Sequence, residues 1–150
     1  MTERQQFKVL RTYENFELRE YLPCVIAEVR VSGQFSTSLS SAFSTLFSYI
    51  SKGNNSSQKI AMTAPVVMNL GDTASMYFVM PKEYSKNQLP TPTSKNVQIL
   101  EESEKTLAVI SYGGFSSDKD IEKYREKLAV ALEQNQIQTK GNYMYMGYNA

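Results

Sequence analysis

The sequence contains no histidine among its 150 residues, and this absence excludes several kinds of site. Histidine is the base of Ser-His and Cys-His nucleophile pairs, a ligand in HExxH zinc sites and a common ligand of iron. The single cysteine, Cys24, excludes an internal disulfide. Because Cys24 follows Pro23 inside an apolar run, we interpret it as a small buried hydrophobic residue.

The sequence also lacks a large net charge and long apolar runs. Sixteen Lys and Arg residues balance fifteen Asp and Glu residues, so a net charge of +1 creates no strong field to attract nucleic acid or an anionic membrane. No apolar run approaches the roughly 18 to 20 residues that span a bilayer, and the N-terminus lacks the apolar region of a signal peptide. We therefore expect a cytoplasmic protein with neither a nucleic-acid nor a membrane partner.

The chain does contain enough apolar surface for one domain, because 41% of its residues are hydrophobic. The order strand, glycine turn, helix occurs twice. Gly33 and Phe35 of the first copy match Gly113 and Phe115 of the second at an offset of 80 positions. The pattern predicts a single α+β domain with two related halves, each built of antiparallel strands and a helix. The first half is predicted at 13–81 and the second at 96–150, and segment 88–96 joins them. The first two strands are predicted at 16–21 and 25–31 in the first half and at 96–101 and 107–112 in the second.

The first helix is predicted at about 37–51, with Ser36 as its N-cap and Gly53 as its stop signal. Apolar residues recur there at spacings of three and four, which is typical of a helix that packs one face on a sheet. Phe43 and Phe47 widen the apolar stripe beyond what packing needs. The residues expected to face the sheet are Leu39, Ala42, Leu46 and Ile50.

Beyond the first helix, segments 59–68 and 76–81 read as two strands of a hairpin around a Gly71-Asp72 turn. Pro65 lies within the first segment and cannot donate to a strand ladder, so it marks a bulge or an edge. A second amphipathic helix is predicted at about 118–135.

Catalytic motifs are scarce. Ser56 and Lys59 satisfy a Ser-x-x-Lys spacing but lie in a polar loop without the motifs that accompany it in enzymes. We therefore predict no catalytic residue, no metal site and no enzyme activity. Tyrosine and methionine crowd the end of the chain, where they either line a ligand groove or pack within the sheet: Tyr112, Tyr143, Met144, Tyr145, Met146 and Tyr148.

Several segments of the sequence resemble the SOUL or heme-binding protein family. They are Lys59-Ile-Ala-Met-Thr-Ala-Pro-Val-Val-Met68, Phe78-Val-Met-Pro81, Gly113-Gly-Phe115, Gly147-Tyr-Asn149, and the opening Tyr13-Glu and Leu18-Arg-Glu-Tyr21. The resemblance covers roughly residues 10–149. It implies a distorted antiparallel barrel, with eight strands in the family, that carries two long helices as a pseudo-twofold duplication.

Members of this family are associated with heme and other tetrapyrroles, bound in an apolar groove beside the first helix, in some cases without a histidine ligand. The resemblance therefore implies heme or a related porphyrin as the ligand. By ungapped matching, Phe43 and Phe47 stand where relatives make apolar porphyrin contacts, and Ser40 and Ser48 stand where relatives place basic partners of the propionates. Because serine carries no charge, we expect weak binding, and because no recognised motif places an iron ligand, we expect it to lack strong axial ligation.

Two alternatives stay open. The family also resembles the effector-binding domains of bacterial regulators, so another small apolar ligand is possible within the same architecture. A scaffold without a ligand, using the exposed serine face of the first helix, is the third hypothesis. Relatives continue past Gly-Tyr-Asn into a final strand, whereas this sequence ends at Ala150. We therefore expect a truncated chain, or a second half whose last strand is missing and leaves an unpaired edge.

Overall fold

The computed structural model describes residues 2–31, 35–71, 74–114 and 117–148, without the side chains of residues 35–38. It contains two helices, α1 (Phe35–Ile50) and α2 (Asp118–Gln134), and a short 3-10 turn at Lys86–Gln88. The strands are β1 (Glu3–Arg4), β2 (Phe7–Thr12), β3 (Glu17–Tyr21), β4 (Cys24–Arg30), β5 (Thr63–Ala64), β6 (Val66–Asn69), β7 (Ser75–Val79), β8 (Gln98–Glu102), β9 (Lys105–Val109) and β10 (Met144–Gly147).

The larger sheet has five strands in the order β10-β6-β7-β4-β8, and each strand is antiparallel to its neighbours. The predicted hairpin is present as β6 and β7, with Val66 opposite Phe78, but its first strand is shorter than predicted because residues 59–62 belong to no strand. Pro65 separates β5 from β6, as expected of a residue that cannot donate to a ladder. Asp72 of the predicted turn lies outside the described residues.

A second sheet has three strands in the order β2-β3-β9, again antiparallel. Its inner face meets the inner face of the larger sheet. The Tyr21 hydroxyl of β3 lies 3.7 Å from Met146 Sδ of β10, and Lys105 Nζ of β9 lies 3.0 Å from the Tyr77 hydroxyl of β7. The two sheets therefore stand as opposite walls around a shared interior.

The predicted α+β class, with two long helices on antiparallel sheets, is confirmed. The described part of the chain contains ten strands, two more than the resemblance implies for the family, and they are hydrogen-bonded in three sheets. The third sheet is a two-residue parallel pairing of β1 with β5. The sequence did not predict this pairing, because a match so short leaves no periodic signal.

α1 packs on the outer face of the five-stranded sheet, mainly over β4 and β7. Its predicted inward face is confirmed, since Ala42, Leu46 and Ile50 are buried and Leu39 is partly buried against the same cluster. The helix begins at Phe35, two residues before the predicted start. The predicted N-cap, Ser36, therefore lies inside the helix.

The C-terminal end of α1 is closed by the backbone N–H of Gly53, which donates to the Ser48 carbonyl at 2.8 Å. Lys52 takes the left-handed conformation with a φ of 88°, so the predicted stop glycine is not the left-handed residue. Glycine is needed at 53 for another reason, because a Cβ there would lie 2.5 Å from the Ser48 carbonyl oxygen. Asn54 then holds the following loop by donating to the Tyr49 carbonyl at 3.0 Å.

α2 packs on the outer face of the three-stranded sheet. The Ser117 hydroxyl accepts from the Asp120 backbone N–H at 3.2 Å, and the Asp120 carboxylate accepts from the Ser117 N–H at 3.1 Å. This reciprocal cap lowers the pKa of Asp120 and fixes the first turn. The buried face of the helix consists of Leu128, Ala131 and Leu132, which pack against Phe16.

The two halves share their order of elements, as the sequence predicts. β3, β4, α1 and β6 of the first half correspond in order to β8, β9, α2 and β10 of the second. Under this correspondence β4 matches β9 and β8 matches β3. The pairing of β4 with β8 is therefore repeated as the pairing of β9 with β3, as a pseudo-twofold axis requires. No described strand follows β10 as the counterpart of β7, and the predicted missing strand stays a prediction. Gly33 and Phe115 of the repeat, with Asn149 and Ala150, lie outside the described residues.

Candidate functional site

Phe43 and Phe47 lie on a flank of α1 that the sheet does not cover. Their side chains are 39% and 48% exposed, and their rings stack with centroids 6.0 Å apart. The Phe43 ring also meets the ring of Phe78 on β7 edge-on at 5.4 Å. Because the two phenylalanines are one helical turn apart, they form a continuous aromatic wall. One side of this wall is anchored to the sheet, and the other is open to solvent.

The outer face of the five-stranded sheet continues beyond this wall onto β6 and β10. Val66 pairs with both Phe78 and Gly147, and Met68 pairs with Tyr145, so these side chains share the face on which α1 lies. All the β6 and β10 members of this set are partly exposed, because α1 lies mainly over β4 and β7. We name this surface the α1 shelf, and it consists of Phe43, Phe47, Val66, Met68, Tyr145 and Gly147.

Gly147 keeps the shelf open at one end. A Cβ at this position would lie 3.6 Å from Tyr145 Cε2 and 3.9 Å from the Val66 carbonyl oxygen, so a longer side chain would occupy the space between them. Tyr145 contributes a phenol whose hydroxyl has no hydrogen-bond partner among the residues that the structure describes. The shelf therefore combines a shallow apolar surface with one uncommitted hydroxyl group.

The two serines predicted to contact the ligand, Ser40 and Ser48, are exposed on α1. Ser40 precedes Phe43 by three residues and so lies on the same side of the helix, and Ser48 directly follows Phe47. Neither serine carries a charge. Positive charge is found instead just beyond the helix, where Lys59 forms an isolated antiparallel bridge with Ser51. Ser51 follows Phe47 by one turn, and Lys52 is the next residue. Lys52 and Lys59 therefore lie in the segments next to the C-terminal end of the aromatic wall, and each carries an ammonium group.

A polar cavity of about 460 Å³ occupies the opposite flank of α1. Its lining includes the charged residues Glu28, Arg30 and Lys95 together with the hydroxyls of Ser41 and Thr45. An apolar ligand would remove these groups from water without giving them new partners, which is costly. The flank with the aromatic wall is therefore the candidate site for an apolar ligand.

The inner face of the same sheet carries a polar network. Lys105 Nζ donates to the Tyr77 hydroxyl at 3.0 Å and to Glu102 Oε1 at 2.9 Å. Burial, assisted by the Glu102 carboxylate, raises the pKa of Cys24 to about 11. Cys24 is partly buried and accepts a hydrogen bond from Gln5 at 3.5 Å, which agrees with a protonated packing residue. It lies on the face opposite the shelf.

The tyrosines and methionines near the end of the chain divide between packing and the shelf. Met144 and Met146 pack on the inner face, Tyr143 packs against the α2 cluster, and Tyr112 stacks on Tyr124 with centroids 3.9 Å apart. The Tyr148 hydroxyl is buried on the side of Tyr21, with no hydrogen-bond partner within bonding distance among the described residues. Tyr145 is the member of this group that reaches the shelf, because β10 pairs with β6 in a register that turns it outward.

Metal-binding clusters and membrane-spanning helices are both absent from the described part of the chain. No group of three or more cysteine, aspartate or glutamate side chains is placed to hold a metal ion there. None of the described helices is long and apolar enough to cross a membrane.

Comparison with known proteins adds the following similarities. A family model described as SOUL heme-binding protein matches residues 2–150. Heme-binding protein 1 of Xenopus laevis is 27% identical over 143 residues, which cover 89% of this chain and 75% of that protein. Heme-binding protein 2 of Homo sapiens is 28% identical over 148 residues, which cover 91% of this chain and 71% of that protein.

Proposed function

The chain belongs to the SOUL heme-binding protein family, and we propose on this basis that it binds heme or a related porphyrin on the α1 shelf. The observation that supports this proposal is the exposed, stacked pair of Phe43 and Phe47 beside the uncovered face of β6 and β10. Aromatic walls of this kind suit a flat aromatic ligand, which stacks on them and removes their apolar surface from water.

The residues of the shelf fit a porphyrin by their chemistry. Val66 and Met68 supply an apolar floor, and the flexible thioether of methionine adapts to a ligand of irregular outline. Gly147 leaves room above the strand where a side chain would stand. A bound heme would supply an iron centre, while the residues of this chain hold the macrocycle and shield one of its faces from water.

The affinity from apolar contacts alone is modest. Burying on the order of 300 Å² of apolar surface contributes roughly 7 kcal/mol at about 25 cal/mol per Å². Association costs at least about 4 kcal/mol of this. Charged contacts to the propionates, at about 1.5 to 3 kcal/mol each, therefore decide whether binding is tight. Since Ser40 and Ser48 carry no charge, we propose weak binding in which Lys52 or Lys59 meets a propionate from beyond the helix.

The test is a titration of the full chain with hemin, followed in the Soret band, and with metal-free protoporphyrin IX, followed by its fluorescence. The double variant Phe43→Ala, Phe47→Ala is expected to bind each porphyrin at least about tenfold more weakly, because the aromatic wall is lost. Val130→Ala is the matched control, since Val130 is 48% exposed on α2 and lies away from the shelf. Saturable binding that the double substitution leaves unchanged would contradict the site.

A second candidate is another small apolar ligand on the same shelf, because the shelf itself contains no charged residue that would select a porphyrin. A thermal-shift screen of small apolar compounds tests this candidate. A compound that stabilises the wild type, but not the Phe43→Ala, Phe47→Ala variant, would support it if neither porphyrin binds. A scaffold without a ligand would be favoured if nothing in either experiment binds.

A further inference from the structure

Few side chains of this protein are able to coordinate the iron of a heme. The sequence has no histidine, which leaves cysteine, methionine and tyrosine among the usual axial ligands. Cys24 is excluded because it lies on the inner face of the sheet, with its thiol against Gln5. Met144 and Met146 are excluded because they pack on the same inner face.

The ten tyrosines can be sorted by where their hydroxyl groups lie. Four belong to the α2 side of the molecule: Tyr13, Tyr112, Tyr124 and Tyr143. Three face the interior between the sheets: Tyr21, Tyr77 and Tyr148. Two are engaged by hydrogen bonds in the first half, Tyr49 with the Pro90 carbonyl at 2.7 Å and Tyr84 with Gln58 at 3.3 Å. Tyr145 is the remaining one.

Tyr145 stands on the shelf across from the aromatic wall. Phe43 contacts Phe78 on β7, and β6 separates β7 from β10, which carries Tyr145. Since neighbouring strands lie about 4.8 Å apart, β10 is roughly 10 Å from β7. A macrocycle with one face against Phe43 and Phe47 would therefore have Tyr145 on its other side, and Val66 and Met68 would lie beneath it.

We propose that the phenol oxygen of Tyr145 coordinates the ferric iron of a porphyrin held on the α1 shelf; this inference rests on the proposed function. The phenol proton and a hydroxide carried by aqueous ferric hemin leave together as water, and the phenolate oxygen forms the bond to iron. No electron is transferred in this exchange.

The experiment compares hemin with metal-free protoporphyrin IX on the full chain carrying Tyr145→Phe, which keeps the ring and removes the oxygen. Hemin affinity is expected to fall by about tenfold, equivalent to about 1.4 kcal/mol, while protoporphyrin affinity changes by less than about twofold. The electron paramagnetic resonance and resonance Raman signatures of a ferric phenolate are expected in the wild type and absent from the variant. Tyr143→Phe, which removes a hydroxyl on the α2 side, is the matched control and should behave as the wild type.

The outcomes separate this inference from the proposed function. Both proposals are supported if the double variant Phe43→Ala, Phe47→Ala loses binding of both porphyrins and Tyr145→Phe weakens the binding of hemin alone. Equal weakening of hemin and protoporphyrin in Tyr145→Phe would show that the ring packs on the macrocycle and would overturn the coordination. An unchanged hemin spectrum in that variant would also overturn it, and a spectrum that changes in Met68→Leu instead would assign the iron to Met68. Failure of the wild type to bind either porphyrin would refute the proposed function itself.

Discussion

Two adjacent residues of α1 are expected to differ in how much stability the protein loses when each is truncated to alanine. Leu46 is 0% exposed inside the cluster beneath the helix, whereas Phe47 is 48% exposed on the aromatic wall. Leu46→Ala removes buried methyl groups and leaves a cavity, so we expect the free energy of unfolding to fall by about 2 to 5 kcal/mol. For a chain of this size, such a loss lowers the melting temperature by roughly 4 to 20 °C.

Phe47→Ala is expected to change the free energy of unfolding by less than about 1 kcal/mol. The stacking with Phe43 contributes about 0.5 to 1.5 kcal/mol, and alanine recovers about 0.5 kcal/mol through its higher helix propensity. Urea unfolding of the two variants, followed by circular dichroism, measures both effects. If Phe47→Ala destabilises the protein as much as Leu46→Ala does, Phe47 is a packing residue and the aromatic wall is not available to a ligand.

Further predictions concern a loop and the behaviour at high pH. The buried amide of Asn54 donates to the carbonyls of Tyr49 and Gln58 and accepts from the N–H groups of Ser56 and Gln58. We expect Asn54→Ala to lower the free energy of unfolding, measured in urea, by about 2 to 4 kcal/mol. A decrease below about 1 kcal/mol would contradict this role. Burial raises the pKa of Cys24 from 9.0 to about 11 and that of Tyr77 from 10.0 to about 12. The folded state therefore holds these protons more tightly than the unfolded state. Their contribution to the free energy of unfolding should be constant below about pH 8 and should fall from there toward pH 12. A urea midpoint that stays level from pH 8 to 11 would refute the assignment of burial.

Local sequence patterns were sufficient for the elements on which the shelf is built. The spacing of Ala42, Leu46 and Ile50 predicts which face of α1 packs on the sheet, because an amphipathic helix repeats every 3.6 residues. The same pattern shows that Phe43 and Phe47 exceed what packing requires, and their exposure agrees with this. The start of α1 was predicted less well, since Ser36 is a good N-cap residue in a run that contains four other serines before Thr45.

The composition of the shelf could not be predicted from local patterns. Tyr145 faces outward and Met146 inward because β10 pairs with β6, a contact between segments nearly eighty residues apart in the chain. A shift of one residue in that register would exchange their faces. The network of Lys105 with Tyr77 is also set by long-range contact, as it joins two different sheets. The periodicity of apolar residues along the sequence does not predict which distant strands pair or in which register.

The most direct test of the porphyrin site uses the methionines as reporters on the two faces of one sheet. Met68 lies on the shelf, whereas Met144 and Met146 lie on the inner face of the strand paired with it. With methyl-labelled methionine and metal-free protoporphyrin IX, the ring current of a macrocycle on the shelf is expected to shift the Met68 methyl resonance strongly and to leave those of Met144 and Met146 nearly unchanged. A larger shift at Met144 or Met146 than at Met68, or no shift at any of the three at saturation, would contradict binding on the α1 shelf.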